Sequence, residues 1–173
     1  MLKKVRVHIV SERREAVGSL FETPTGQLLP IDGAEIKEAP NAEPERIEMM
    51  LEGSYRDDGA RVTLTYKESE LTGMEGSTTS VSFHKGSPGV ISMLRDGSVK
   101  TAMVFEEARR HFCVYQTAIM PFEVCIYTKR IENALESEGR LTLDYAVELK
   151  GAQAEHNHFT LRVLPAFDRP KDL

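Results

Sequence analysis

From its start the chain alternates between apolar and polar side chains. Val5, Val7 and Ile9 stand against Lys4, Arg6 and His8, and a period of two puts the apolar set on one face of a strand. Ile47, Met49, Leu51, Gly53 and Tyr55 repeat the pattern against Glu48, Met50, Glu52 and Ser54. After Arg56-Asp57-Asp58-Gly59, Val62, Leu64 and Tyr66 do the same against Arg61, Thr63 and Thr65. A hairpin closed by that turn, with Leu51 opposite Leu64 and Met49 opposite Tyr66, carries both apolar rows on one face. Thr79, Val81 and Phe83 form the next strand, followed by a loop from His84 to Gly89. Val90 to Leu94 and Val99 to Phe105 flank Asp96-Gly97, the strongest two-residue hairpin signal in the chain.

Phe112 and Val114 lead through a short connection containing Pro121 to Phe122, Val124 and Ile126. A hairpin centred on Ile119 sets Cys113 opposite Cys125. Both then share a face with His111, Tyr115, Glu123 and Tyr127, and Phe112, Val114, Phe122, Val124 and Ile126 take the other. The apolar face changes between Ile126 and Ile131, which predicts a bulge near Thr128 to Arg130. Leu141, Leu143, Tyr145, Val147 and Leu149 alternate cleanly, and Phe159, Leu161 and Val163 point inward on the last strand. With Gly151 to Glu155 as the intervening turn, Glu148 falls opposite His158 and Asp144 opposite Arg162.

The count is about ten strands at roughly 8–12-residue spacing, the pattern of an antiparallel sandwich or barrel. Asn41 to Leu51 and Met103 to Phe112 also fit a helical period, but the alternation around them favours strands. Residues 11–45 read as a long connection after the first strand, with Pro24, Pro30, Pro40 and Pro44 and no sustained period. Residues 165–173 read as a flexible tail, and residues 1–173 as a single domain.

Composition narrows the function classes. A chain of 173 residues with 40% apolar and 28% charged residues has enough material for one sizeable core. A formal charge of −5 argues against a phosphate-backbone binder, so nucleic acid is not an expected partner. The basic start lacks the apolar run of an export signal, because Arg6 and His8 interrupt it, and no stretch approaches the ~20 apolar residues of a membrane helix. Two cysteines do not make a disulfide framework, so the cytoplasm is the expected location. No cofactor motif is present.

Tyr66 to Thr79 reads Y-K-E-S-E-L-T-G-M-E-G-S-T-T, with M-V-F-E at Met103 to Glu106, R-H at Arg110-His111 and I-Y-T-K-R at Ile126 to Arg130. On these strings the chain resembles the YwiB-like family, small bacterial proteins of unknown function. The resemblance spans Leu2 to Ile9 and Ile47 to Val163. It implies an all-β, antiparallel, calycin-type (lipocalin-like) β-barrel and supplies no reaction. The chain departs from the family pattern in its long connection and at Thr117-Ala118-Ile119-Met120-Pro121, where the family carries a Thr-Pro-Tyr-Gly type of turn.

Several groupings could carry chemistry. Glu68, Glu70 and Glu75, with two glycines, could form an acidic barrel-mouth loop that binds a cation or amine or supplies an acid/base pair. The plainer alternative is a glycine-kinked corner whose acids are solvated or paired with Arg109 and Arg110. The E-x-E string also suggests a triphosphate tunnel, but that needs a charged inner face, and here the face in register is apolar. His156 and His158 point the same way on a strand, with no third ligand placed by sequence to make a metal site. Cys113 and Cys125 fit small buried side chains better than a thiol nucleophile or zinc site. The Met and aromatic inner positions line either a cavity or a packed core.

The leading functional expectation is a non-enzymatic barrel that binds a small, partly apolar ligand through Tyr66, Glu68, Glu70, Glu75, Arg110, His111 and Tyr127. The alternative is a protein-interaction or assembly module with a filled barrel, either a homo-oligomer such as a homodimer or a binder of another partner. An enzyme built on Glu68, Glu70 and His111 requires those side chains to converge.

Overall fold

The computed structural model describes residues 1–15, 43–150 and 152–166. Ten strands cover most of them: β1 (Leu2–Glu15), β2 (Glu45–Asp57), β3 (Arg61–Lys67), β4 (Thr78–His84), β5 (Ser87–Asp96), β6 (Thr101–Glu106), β7 (Arg110–Gln116), β8 (Pro121–Ala134), β9 (Arg140–Leu149) and β10 (Ala152–Pro165). They form one antiparallel 10-stranded sheet in the order β6-β5-β4-β3-β2-β1-β10-β9-β8-β7. Each strand but β6 thus lies beside its successor, and β10 returns to the free side of β1. The two ends of the sheet meet where Lys100 and Gln116 exchange backbone hydrogen bonds of 3.0 and 2.8 Å. The β6–β7 connection is also tied to β8: the Ala108 N–H donates to the Thr128 carbonyl at 2.9 Å, and the Thr128 N–H to the Arg109 carbonyl at 3.2 Å. The result is a nearly closed barrel, so only short edge segments remain unpaired.

The core lies inside it. Val7, Leu64, Val81, Ile91, Phe105 and Leu161 are fully buried, each from the inward-facing set of its strand. Burial of side chains of this size stabilises by about 1.5–3 kcal/mol apiece. Neither stretch with an alternative helical period is helical where it is described: the first enters β2 at Glu45, and the second runs from β6 through a turn at residues 107–109 into β7. Among the described residues the only helical element is a 3-10 turn, Glu70–Thr72, and no helix is long and apolar enough to cross a membrane.

The register differs from the sequence expectation in informative ways. In the β2–β3 hairpin Tyr66 sits opposite Gly53 and Leu64 opposite Tyr55, not opposite Met49 and Leu51. The apolar rows keep their common face because the offset is even. The turn forms later, where Asp58 accepts hydrogen bonds from the Ala60 and Arg61 N–H groups at 3.1 and 2.8 Å. Asp96-Gly97 does not close a two-residue hairpin: β5 ends at Asp96 and β6 begins at Thr101. In the β9–β10 hairpin Asp144 faces His158 and Arg140 faces Arg162, with a bulge between Gln153 and Glu155 that the even alternation concealed. The bulge between Thr128 and Arg130 is where the broken alternation predicted it. Residues 11–15 continue β1 instead of opening the connection, because they pair with β10 as far as Glu15 opposite Glu155. Glu45, at the far end of that connection, already belongs to β2, and residues 16–42 and most of the tail lie outside the described residues.

One strand is inverted. Cys113 faces Val124, and Phe112 faces Cys125, so the cysteines occupy opposite faces of the sheet. β7 turns His111, Cys113 and Tyr115 toward the interior and leaves Phe112 72% and Val114 47% exposed. The cause is the turn. Thr117 Oγ1 accepts from the Ile119 and Met120 N–H groups, both at 3.3 Å, and the pairing of Gln116 with Pro121 is one residue off the assumed centre. An odd shift exchanges faces. Inside, Tyr115 gains a stacked contact with Phe122 at 5.5 Å between ring centroids.

Candidate functional site

β5 points Ile91 and Met93 into the core, and its next inward position is Arg95. The side chain is 14% exposed. Arg95 lies opposite Thr79 on β4, Thr79 opposite Tyr66 on β3, and Tyr66 opposite Gly53 on β2. Those four residues form one layer across the barrel. Gly53 is required there, because a Cβ would come within 2.8 Å of both the Thr65 carbonyl oxygen and Val7 Cγ2.

Glu68, only 3% exposed at its side chain, is the counter-charge. Its N–H donates to the Ser77 carbonyl at 2.9 Å, which fixes the backbone just past β3. Its carboxylate accepts hydrogen bonds from the hydroxyls of Thr79 and of Thr72, the latter at 3.1 Å, and lies 3.5 Å from Arg95 Nε. The 3-10 turn delivers Thr72, and it ends at Gly73 in the left-handed conformation, φ 69°. A desolvated ion pair of this kind persists only when additional hydrogen bonds satisfy it.

The carboxylate is well satisfied; the guanidinium is not. Arg95 Nη2 donates to Met93 Sδ at 3.8 Å, the Tyr115 hydroxyl is within hydrogen-bonding reach, and the Nε–H has no hydrogen-bond acceptor. Five donors therefore share one sulfur, one phenol and a distant carboxylate. Three tyrosines, Tyr66, Tyr115 and Tyr145, surround the charge. Burial pushes all three phenols above their ordinary range, and the negative charge of Glu68 adds to the shift at Tyr66. Tyr145 packs edge-on against Phe105 at 4.8 Å, and Tyr115 donates to Met103 Sδ at 3.2 Å. Buried Asn157, opposite Tyr145, donates to Glu155 at 2.9 Å. One end of the barrel thus holds a cation, a ring of phenols and an apolar floor.

Of the residues singled out from sequence, Tyr66 and Glu68 meet in this layer. Glu70 and Glu75 are exposed on the loop between β3 and β4. Arg110 and Tyr127 lie on the outer face of the sheet, where the guanidinium stacks 4.3 Å over the ring and pairs with Glu148 at 3.1 Å. His111 is bonded to Glu106 at 3.1 Å. Glu106 pairs with Val90, and Thr101 with Arg95, so His111 is tied to β6 about 17 Å along the strand from Arg95. Glu68, Glu70 and His111 do not converge, and an enzyme built on all three has no geometric basis. The acids are not paired with Arg109 and Arg110 either: Glu68 goes to Arg95, and Arg109 to Glu106 at 3.9 Å.

Sequence reasoning missed Arg95. Its signal was present, since Arg95 continues the inward positions Ile91 and Met93 at intervals of two, but the Asp96-Gly97 dipeptide drew the turn too early. Elsewhere, His156 pairs with Asp144, and among the described residues no three His, Cys, Asp or Glu side chains cluster as metal ligands. Cys113 and Cys125 are free and buried, and burial raises both thiols, with Glu148 adding to the effect at Cys125.

Three comparisons bear on this fold and site. A family model described as "Domain of unknown function (DUF1934)" matches residues 31–161. The crystal structure of the ywiB protein from Bacillus subtilis is similar, with a TM-score of 0.69 at 19% identity, covering 96% of this chain and 94% of that one. That likeness shows the fold. No curated protein matches the chain.

Proposed function

The chain belongs to the DUF1934 family, and on that premise we propose that it is a non-enzymatic barrel that takes a small, partly apolar ligand with an acidic head group into the Arg95 end. One observation carries the reading: a nearly buried guanidinium whose Nε–H has no hydrogen-bond acceptor, ringed by phenols that can donate to an oxyanion. A bidentate carboxylate satisfies arginine's planar donor fork as neither Met93 Sδ nor the 3.5 Å contact with Glu68 does. Phe105, Met103 and Tyr145 supply the apolar surroundings for the rest of such a molecule. The reading sets the protein in the cytoplasm, and the unbridged Cys113 and Cys125 fit that setting.

Octanoate and octanol separate head group from tail. Octanoate is expected to raise the melting temperature of the full chain in a saturable way, octanol to do so weakly, and Arg95→Lys to erase the difference. If neither octanoate nor any molecule extracted from the purified protein binds in an Arg95-dependent way, the reading falls.

A second reading is favoured by the outer face of β5, β6 and β7. Leu94, Phe112 and Val114 are exposed there, and Ile119 and Met120 continue the apolar surface at the β7–β8 turn. A patch of this kind fits a homodimer interface. A dimer by light scattering that Phe112→Ser converts to monomer supports it; a concentration-independent monomer removes it.

A further inference from the structure

A groove of about 320 Å3 lies on the outer face of β8, β9 and β10, and Arg130, Arg140 and Arg162 are among its lining residues. Strand register puts them there. Arg162 is directly opposite Arg140, Thr160 opposite Thr142, and Arg130 opposite Asp144. Like charges directly opposed across a ladder destabilise it, so the Arg140–Arg162 pair is unfavourable without an anion between the two guanidinium groups.

Two acids, Glu132 and Asp144, line the groove as well, with His158 beside them, and both acids are already paired. Glu132 pairs with Arg130 at 2.7 Å, and Asp144 with His156. Glu138 reaches Arg140 at 3.3 Å from the exposed β8–β9 turn. Arg162 has no acidic partner among the described residues. On its β1 side Arg162 faces His8, whose ring is held by Glu48 at 2.8 Å. The concavity therefore presents two guanidinium forks and, one cross-strand pair further on, two threonine hydroxyls.

We propose that this groove is a binding site for the phosphate group of a small phosphomonoester. Arg140 and Arg162 clamp the phosphate oxygens, and Thr142 and Thr160 donate from the floor. A tetrahedral dianion matches two planar forks plus two hydroxyls better than a carboxylate does, and it relieves the repulsion across the ladder. The volume is at the small end of the range for metabolite pockets, enough for the phosphate and a short attached body. The chain's net charge of −5 favours a small anion over a nucleic-acid strand.

The site shares no residue with the Arg95 layer, so it stands or falls separately. Inorganic phosphate titrated calorimetrically into the full chain at low ionic strength, against chloride at matched ionic strength, is the direct test. A saturable phosphate isotherm is expected, weakened at least tenfold in Arg140→Gln and in Arg162→Gln. Because both side chains are on the solvent side of the sheet, each variant should melt no lower than the parent when phosphate is absent. Phosphate heats equal to those of chloride, or an isotherm that survives in the double variant, overturn the site. A single-stranded oligonucleotide that binds more tightly than phosphate with the same arginine dependence overturns the small-molecule assignment.

Discussion

Arginine stands on both faces of this sheet, and the two settings hold the charge by different means. Inside, Arg95 is desolvated, so Glu68 sits beside it and two threonine hydroxyls fix that carboxylate. Outside, Arg140 and Arg162 oppose each other directly, with Glu138 on one of them and, among the described residues, no acid on the other. Water screens the outer pair and makes the arrangement tolerable, whereas no solvent would rescue an unpaired charge within the barrel. The same side chain is thus part of a fixed internal framework in one place and, at Arg162, a solvent-facing donor in the other.

The sharpest way to break this contrast is to remove an acid from each face. Glu68→Ala leaves Arg95 without its counter-charge and should cost about 3–5 kcal/mol by urea denaturation, whereas Glu132→Ala on the outer face should stay within about 0.5 kcal/mol. A loss below about 1 kcal/mol for Glu68→Ala would mean that water already reaches Arg95. The double variant Glu68→Gln with Arg95→Met should recover most of the loss, because no buried charge then remains.

Steric tolerance separates the interior layer from an exposed turn next. Gly53→Ala brings a methyl group against backbone in the Tyr66 layer and should cost about 1–3 kcal/mol. Gly86→Ala, with nothing within 4 Å of the new atom, should be close to neutral in the same assay.

Alkaline pH acts on the interior. The ordinary phenol value is 10.0, and Tyr66, Tyr115 and Tyr145 are all raised above it by burial. A raised acid favours the folded state while it stays protonated, so this contribution is complete below pH 10 and lost as pH rises beyond it. Tyrosinate absorbance from these three residues should appear with unfolding and not ahead of it; Tyr66→Phe should flatten the alkaline fall. The smallest effect expected is at the surface, where Phe112→Ser should change monomer stability by no more than about 0.5 kcal/mol despite removing a large apolar side chain.

The legible parts of the molecule were those that depend on neighbours in the chain. Alternation marked the strands, and its local break at Thr128 to Arg130 marked a bulge that the structure contains. The inversion of β7 was not legible, because His111, Cys113 and Tyr115 are as able to face a core as Phe112 and Val114 are. Arg95 was hidden by a turn signal that begins at the next residue, and Arg162 opposite Arg140 by a register offset in the last hairpin.

The sequence by itself determined an all-β chain of about ten alternating strands and, through the Tyr66 to Thr79 string, its kinship with a barrel family. Only the tertiary structure decided which residue faces which: that Glu68 meets Arg95, that the two cysteines part to opposite faces, and that two arginines stand side by side. Alternation is a property of a few consecutive residues. Pairing depends on where each turn closes and on which slippage buries the better face, and those are decided between strands.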